Sequence, residues 1–429
     1  MNIPSKAIIL GAGPCGLVTA LRLHQTTGIK PIIYELRPEP TTLGGAIGIP
    51  ANGLRLLDRL GVYQALVERG SSRSDFALYS IAGAAARGGG TLGQLDDFAD
   101  RARRETGYGY MRIKRVDIVD VLLDAVKEAG IEVYFGKRMS AIKEDDDNVH
   151  VSFDDGSTAT GDMLFGCDGI HSALRSMYID PHQTPEYSGL AGMFSTIPAT
   201  KLFPSLMKGL KGLTMTMTDN GIFMAAPCTA DSDTIYFGFQ RETPLPHAEV
   251  SRDGWEVHGR EEVRKFKETL HGVLHNATGD WPDFLRELVE NTEVIKFFPI
   301  YRLPLGRAWS KGKCLLLGDA AHAMQPHAGQ GVSMAVEDAF LISRLLASQD
   351  RSVKRAFEVF CEIRRPRIEE IYQTAAANAG MRKKLGPWGQ WVKENIIRLV
   401  FFIPGWLGIA DKLMGQKYTV YDVDEEKCS

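Results

Sequence analysis

The stretch from Ala7 to Tyr34 constrains this chain more than any other. Ala7 to Leu10 is a short apolar run, and Gly11-Ala12-Gly13-Pro14-Cys15-Gly16 follows it directly. Leu17 to Leu23 is apolar and periodic, and Pro31 to Tyr34 reads as a second strand. Strand, glycine-rich turn, helix and strand in that order predict a βαβ unit. In such a unit Gly11 allows the tight turn, Gly13 lets backbone approach a pyrophosphate, and Gly16 permits close packing of helix on strand. The helix N-terminus offers unpaired N–H groups and a positive dipole to phosphate. Glu35 ends the second strand, where it can accept from ribose hydroxyls. A carboxylate there repels a 2′-phosphate, so FAD or NAD suits this site better than NADP. The plain alternative is a glycine-rich turn without a ligand.

Two further motifs follow strand-like runs. Gly318-Asp319-Ala320-Ala321-His322 comes directly after Lys313 to Leu317. It continues through Pro326-His327-Ala328-Gly329-Gln330-Gly331 into a helix expected over Val332 to Leu346, which holds Glu337 and Asp338. A carboxylate at a strand end can bind a polyol, and a glycine-rich segment can lie flat against a planar ring. The next helix aims its positive end at that ring, which favours negative charge there. Asp168-Gly169-Ile170-His171-Ser172-Ala173-Leu174-Arg175 is the third motif, with Arg175 a cation one helical turn beyond Ser172. Standing alone, these two would be an ordinary strand-to-helix turn and a solvated charge.

The rest of the chain sorts by pattern. Gly53 to Leu66 is expected as one helix with Leu54, Leu57 and Leu60 on one face, and Val116 to Ala129 as an amphipathic helix. Ile81 to Gly93, with Gly88, Gly89 and Gly90 in a row, is expected to be a flexible loop or lid. Short alternating segments around Val133, Val149 to Phe153 and Met163 to Phe165 predict a small β-meander. From Tyr187 to Phe298, strand-like pieces at Gly212 to Thr218, Gly221 to Ala226 and Thr234 to Gln240 predict an inserted sheet unit, with a helical piece from Arg260 to His271. Val353 to Met381 is expected to be helical.

Composition narrows the function classes. A formal net charge of −3 over 429 residues gives no basic face for nucleic acid. Six cysteines without a C-x-x-C pair point to reduced thiols in a reducing, cytoplasmic setting, and the N-terminal residues lack a signal-peptide pattern. The apolar stretch Ile396 to Ala410 contains Arg398 and Pro404 and falls short of the roughly 20 residues of a spanning helix. Trp388, Trp391, Phe401, Phe402 and Trp406 leave peripheral membrane contact as a weak reading beside a helix packed on the body. There is no metal-ligand spacing and no nucleophile triad; His322 reads as a packing and hydrogen-bonding residue.

The three motifs in this order resemble the class A flavoprotein monooxygenases, the family of para-hydroxybenzoate hydroxylase and salicylate hydroxylase. Gly11 to Gly16 matches the dinucleotide loop, Asp168 to Arg175 the Asp-Gly motif and Gly318-Asp319 the Gly-Asp motif, over residues 6 to about 345. The resemblance implies an α/β fold: a Rossmann-like, glutathione-reductase-type FAD-binding domain, an inserted sheet-based substrate domain and a helical C-terminus. The expected FAD-binding domain is discontinuous (1–75, 105–185 and 300–375). The sheet domain is expected at 76–104 and 186–299, and the tail at 376–429.

The resemblance also assigns roles. Glu35 would hold the adenosine ribose and Asp319 the ribityl chain. Pro326, Gly329, Gln330, Gly331 and Val332 would line the isoalloxazine, with Gly45, Ala46 and Ile47 beside it. Arg115 would reach the FAD hydroxyl and phosphate region, with a surface helix charge as the alternative. Asp168 and Arg175 would serve FAD and the approach of NAD(P)H, for which no second G-x-G-x-x-G exists. Arg175, Pro326 and Gly329 are the residues expected nearest the chemistry. Ser333 departs from the Asn of some members. The implied reaction is NAD(P)H-driven insertion of one oxygen of O2, through a flavin C4a-hydroperoxide, into a small aromatic, indole or polyketide-like molecule. Candidate substrate residues are Phe223, Met224, Phe237, Phe239, Tyr301 and Arg302. Phe223 and Met224 must face opposite ways, and the aromatic and Met candidates read as ordinary core ahead of substrate wall. Arg302 could bind an acidic substrate, steer the flavin or form a surface ion pair. An oxidase, halogenase or reductase on the same fold, or a binding protein that lost catalysis, are the competing readings.

Overall fold

A computed structural model describes all residues apart from 1–4, 41–44, 82–89, 245–259, 294–295, 327–328, 349–351, 381–385, 403–415 and 428–429. Its centre is a six-stranded sheet in the order Ser310–Lys311, Cys314–Leu316, Met163–Gly166, Lys6–Leu10, Lys30–Tyr34, Glu132–Tyr134. All pairs are parallel except the short antiparallel edge at Ser310–Lys311. Parallel strands need a crossover and burial on both faces, which explains why Ala7 to Leu10 and Met163 to Gly166 read as unbroken apolar runs. The first crossover is the helix Pro14–Thr27, which packs against the helix Gly331–Ala347. Gly16 is obligatory in that crossover, because a Cβ there would sit 2.0 Å from the Gly11 carbonyl oxygen.

The second sheet has seven strands in the order Lys296–Arg302, Glu186–Pro198, Thr234–Glu242, Ile222–Pro227, Leu213–Met217, Phe76–Ser80, Gly90–Leu95. All neighbours are antiparallel except Leu213–Met217 with Phe76–Ser80. One face is covered by the helices Arg260–Leu274 and Asp280–Glu290, with Phe223, Phe237, Phe239, Leu270, Phe284 and Leu288 in one apolar cluster. Trp281 closes that layer by donating its indole N–H to Thr216 Oγ1 (2.9 Å) and stacking on Tyr79. A separate ribbon, Ala46–Pro50 with Tyr110–Lys114, runs between the two sheets' elements.

Several sequence expectations need correction. Gly53 to Leu66 is not one helix: Ala51–Arg59 and Tyr63–Val67 are broken at Gly61, whose φ of 90° ends the first. Of the expected lid at Ile81 to Gly93, residues 82–89 lie outside the described residues, but Gly90 is the first residue of a paired edge strand. The meander holds only for Met139–Glu144, Val149–Phe153 and Thr158–Gly161; Val133 and Met163 to Phe165 belong to the parallel sheet. Near the C-terminus the helix Val353–Gly380 is followed by Pro387–Phe402, which lies against Gly90–Leu95. No helix among the described residues is long and apolar enough to cross a membrane.

Candidate cofactor and substrate site

Three strand ends of the parallel sheet meet at its C-terminal edge. Gly11 N donates to Tyr34 O (2.8 Å), Cys167 N to Leu10 O (2.8 Å) and Leu317 N to Gly166 O (3.0 Å). These bonds bring Gly11 to Gly16, Asp168 to Arg175 and Gly318 to Asp319 to one crevice, which is where open α/β sheets bind ligands. Gly11 sits at φ 102°, and a Cβ on it would strike the Cys167 carbonyl at 2.5 Å. Around a Cβ on Gly13 there is nothing within 4 Å. Gly13 is also the N-cap of the helix Pro14–Thr27, without a side-chain cap and with Pro14 at the first turn. The protein therefore leaves that helix end open for an anion. Glu35 is fixed beside it: its Oε2 accepts from Ala12 N (2.7 Å) and its Oε1 from Arg37 N (2.9 Å).

Asp319 starts the short helix Asp319–His322; its carboxylate is exposed and has no partner among the described residues. Gly318, at φ 58°, makes the turn possible. Pro326, Gly329 and Gly331 are exposed, and neither Gly329 nor Gly331 has an atom within 4 Å of a Cβ position. Gln330 is buried and accepts at Oε1 from Asn52 Nδ2 (3.0 Å), while Val332 is half-buried. His327 and Ala328 lie outside the described residues. Gly45 O accepts from Arg115 N (2.9 Å), so Gly45, Ala46 and the exposed Arg115 form one rim of the crevice.

Some of the buried polar atoms without partners among the described residues belong to these segments. Asp168 Oδ2 accepts from Ala173 N and Leu174 N (2.7 and 3.3 Å), yet its Oδ1 has none; burial pushes this carboxyl up. Asn52 Oδ1 and Ser333 Oγ are also buried and unpartnered, and a Cβ on Gly53 would lie 2.4 Å from Ser333 Oγ. Orphaned polar atoms inside a protein carry a cost of about 1–3 kcal/mol each unless a ligand or water completes them. An open helix end, a free carboxylate and these orphans suit a dinucleotide with a polar ring edge, so the residues fit FAD.

Arg175 differs from its sequence reading. It is 1% exposed, donates Nη1 to Ala320 O (2.8 Å) and bonds Ile170 O through Nη2. A guanidinium held by two carbonyls inside the protein cannot meet a nicotinamide; it clamps the Asp-Gly segment to the Gly-Asp helix. Burial lowers its pKa, against the pull of Asp168 and Asp180.

Behind the site lies an ion network that sequence reasoning missed. Arg364 is fully buried and donates Nε to Asp338 Oδ1 (2.8 Å) and Nη1 to Glu337 Oε2 (2.7 Å). Asp338 Oδ2 accepts from Gly318 N (2.8 Å) and contacts His322 Nε2 (2.7 Å). Glu337 also takes Arg367 and Asn52. Burial alone would raise the Asp338 carboxyl, but His322 and Arg364 hold it below the ordinary carboxylate range. Glu337 and Asp338 were visible in sequence; Arg364 lies 26 residues on, beyond any local pattern.

The substrate candidates separate by face. Phe223, Phe237 and Phe239 point to the covering helices and are core, so they are withdrawn as pocket residues. Met224 faces the other way and is half-buried. Tyr301 packs edge-on against His171 and Tyr187, and Arg302 pairs with Glu186 (3.3 Å), which is the ion-pair reading of that residue. Tyr236, absent from the sequence candidates, shares the Met224 face. A Cβ on Gly45 would lie 2.7 Å from the Tyr236 ring and 2.9 Å from the Phe194 ring. That close approach places the sheet face turned away from Arg260–Leu274 and Asp280–Glu290 against the rim of the crevice. Groups of three or more metal-binding side chains are absent among the described residues.

Comparison with known proteins agrees with this geometry. A family model described as an FAD binding domain matches residues 5–375. The chain is 27% identical over 389 residues to 6-hydroxynicotinate 3-monooxygenase of Pseudomonas fluorescens, covering 90% of this chain and 94% of that protein. It is 26% identical to salicylate hydroxylase of Pseudomonas putida, covering 86% and 83%. Among solved structures, Klebsiella pneumoniae HpxO complexed with FAD and uric acid superposes with a TM-score of 0.79 at 22% identity, covering 97% of each chain.

Proposed function

Because the chain belongs to the class A FAD-dependent monooxygenase family, we propose that it uses NAD(P)H and O2 to place one oxygen atom in a small organic molecule. The balance is one NAD(P)H, one proton, one O2 and one substrate C–H or C=C giving NAD(P)+, water and the oxygenated product. FAD supplies the hydride acceptance and the activation of oxygen when bound. The residues of the chain bind, orient and exclude water. The open end of the helix Pro14–Thr27 receives the pyrophosphate, Glu35 the ribose and Asp319 the polyol. The N-terminus of Gly331–Ala347, capped by no side chain, presents positive potential at the ring edge. Arg175 and Asp338 keep the Asp-Gly and Gly-Asp segments in register through backbone contacts. The face of the seven-stranded sheet turned away from Arg260–Leu274 and Asp280–Glu290 closes the site opposite them.

The observation that carries this reading is the convergence of an open helix end, an unpartnered Asp319 and orphaned Asp168, Asn52 and Ser333 atoms in one crevice. The test is oxidation of NADH and NADPH by the FAD-loaded protein under 18O2, with phenols, indoles and polyenes. One labelled oxygen per product supports the reading. NAD(P)H oxidation that yields only peroxide supports an oxidase instead, and a protein that binds no flavin contradicts both.

A further inference from the structure

The helix Pro387–Phe402 inverts the usual arrangement, in which apolar residues meet the body and charged ones meet water. Its one acid, Glu394, is buried and accepts from Ser80 Oγ (2.6 Å) and Gln390 Nε2 (2.8 Å). Phe401, on the same inner side, packs where a Cβ on Gly93 would meet its ring at 2.1 Å, and it stacks on Phe76. These contacts fix the rotation of the helix on the edge strand Gly90–Leu95. The outer side is then apolar. Trp388, Val392, Asn395 and Leu399 follow one line at helical spacing, with Trp391 and Ile396 on either side of it. Trp388 is 82% exposed, Trp391 53% and Ile396 54%. Asn395, the polar member of the line, turns back to donate Nδ2 to Trp391 O (2.8 Å). Eight large hydrophobic side chains are exposed among the described residues, and five of them are on this helix. The other three, Tyr134, Met177 and Phe203, stand on separate segments, so the five form a patch and those three do not.

Charge and size select what covers this patch. Lys393 and Arg398 stand at the two margins of the apolar side, and no acid lies on it. In sequence, Met381 to Phe402 holds Arg382, Lys383, Lys384, Lys393 and Arg398 against Glu394 alone, inside a chain of net charge −3. That local excess of cations is complementary to an anionic surface. Apolar side chains between flanking cations, with Trp388 and Trp391 packed edge to face at one end, are the make-up of a helix lying in a bilayer interface. A second copy of the chain fits less well. The helix has 16 residues and offers a strip about 24 Å long and about 10 Å wide, well below the roughly 800 Å² a side of a stable protein interface. The same length falls short of the roughly 30 Å hydrocarbon core, so the helix lies on a membrane and does not cross it.

We propose that the outer side of Pro387–Phe402 docks this protein on an anionic lipid surface. Trp388, Trp391, Val392, Ile396 and Leu399 enter the headgroup boundary, and Lys393 and Arg398 meet lipid phosphates. The docking adds a partner to the monooxygenase reading and does not depend on it.

The test is flotation of the FAD-loaded full chain with two kinds of vesicle, phosphatidylcholine alone and an equal mixture of phosphatidylcholine and phosphatidylserine. The chain should float with the mixed vesicles and partition at least about tenfold less onto phosphatidylcholine alone. Trp388→Ser together with Trp391→Ser should lower partition onto the mixed vesicles by at least about tenfold, the loss expected when two large apolar side chains no longer leave water. Both residues are exposed, so that variant should keep its melting temperature within about 2 °C and its flavin spectrum unchanged. Lys393→Gln together with Arg398→Gln should cost about tenfold on the mixed vesicles and leave phosphatidylcholine binding as it was. A chain that floats with neither vesicle overturns the proposal, as does equal flotation with both, or a double tryptophan variant that floats like the native chain. A native chain that sediments as a dimer without vesicles, and as a monomer after the two tryptophan changes, assigns the patch to a second copy and overturns the proposal too.

Discussion

Replacing Arg364 by Met removes the cation at the centre of the buried network without removing much volume. Breaking a buried ion pair by deleting one partner costs about 3–5 kcal/mol, because the other charge is left uncompensated. The geometry places this case near the lower end. Glu337 keeps Arg367 at 2.7 Å and Asn52 at 2.8 Å, so its charge remains answered. Asp338 keeps Gly318 N and His322 but loses the only donor on Oδ1 among the described residues. We therefore expect a loss of about 3 kcal/mol, a large share of the roughly 5–15 kcal/mol that holds an ordinary domain. The deficit should depend on pH with a definite sign. In the native protein Asp338 is held below its unfolded pKa, so its contribution is present above about pH 4 and is lost as pH falls further. Without Arg364 the stranded carboxyl should titrate higher, so the gap between variant and native protein should narrow as pH drops from 7 toward 4. Urea unfolding followed by tryptophan fluorescence at several pH values measures both quantities. A loss under about 1 kcal/mol at pH 7, or a gap that widens on acidification, refutes the reasoning.

Four other outcomes follow from the same geometry. Gly13→Ala should leave the apoprotein's melting temperature within about 2 °C of native, since nothing lies within 4 Å of the new methyl, while abolishing FAD uptake; Gly16→Ala, whose Cβ would meet Gly11 O at 2.0 Å, should lose both fold stability and uptake. Asp319→Ala should weaken FAD by at least about tenfold in a fluorescence titration, the loss of charge-assisted hydrogen bonds to a hydroxyl, and leave unfolding unchanged. Arg175→Met should lower stability and FAD retention together, but at saturating FAD the stopped-flow rate of flavin reduction by NAD(P)H should stay within about threefold of native, because the guanidinium is sealed on carbonyls. Arg59→Gln should lower stability to urea at pH 7, with the gap from the native protein closing below about pH 4, because Asp422, whose carboxyl burial would raise, is held low by Arg59 and that contribution is lost on protonation.

The fold was legible where local chemistry decides it. Gly11, Gly13 and Gly16 are demanded by a positive φ, an anion's approach and a backbone contact, so their spacing identifies the βαβ unit before any tertiary structure is known. The alternation Phe237, Gly238, Phe239 likewise announced a strand, but not which face met helices and which met the cofactor rim. That choice depends on Asp280–Glu290 packing from one side and Gly45 from the other, contacts far apart in sequence. Tyr236 was missed for this reason: its place against the cofactor rim follows from the absence of side chains at Gly238 and Gly45, which no pattern around residue 236 signals. Arg175 was misplaced because a sequence shows a charge but not its burial. The helix break at Gly61 was hidden by Leu54, Leu57 and Leu60, whose periodicity runs straight up to it.

The most direct test is equilibrium titration of flavin-free protein with FAD, followed by quenching of flavin fluorescence and by absorbance of the washed protein. The account predicts saturation at one FAD per chain. Protein that stays colourless and leaves the fluorescence of added FAD unchanged would contradict it.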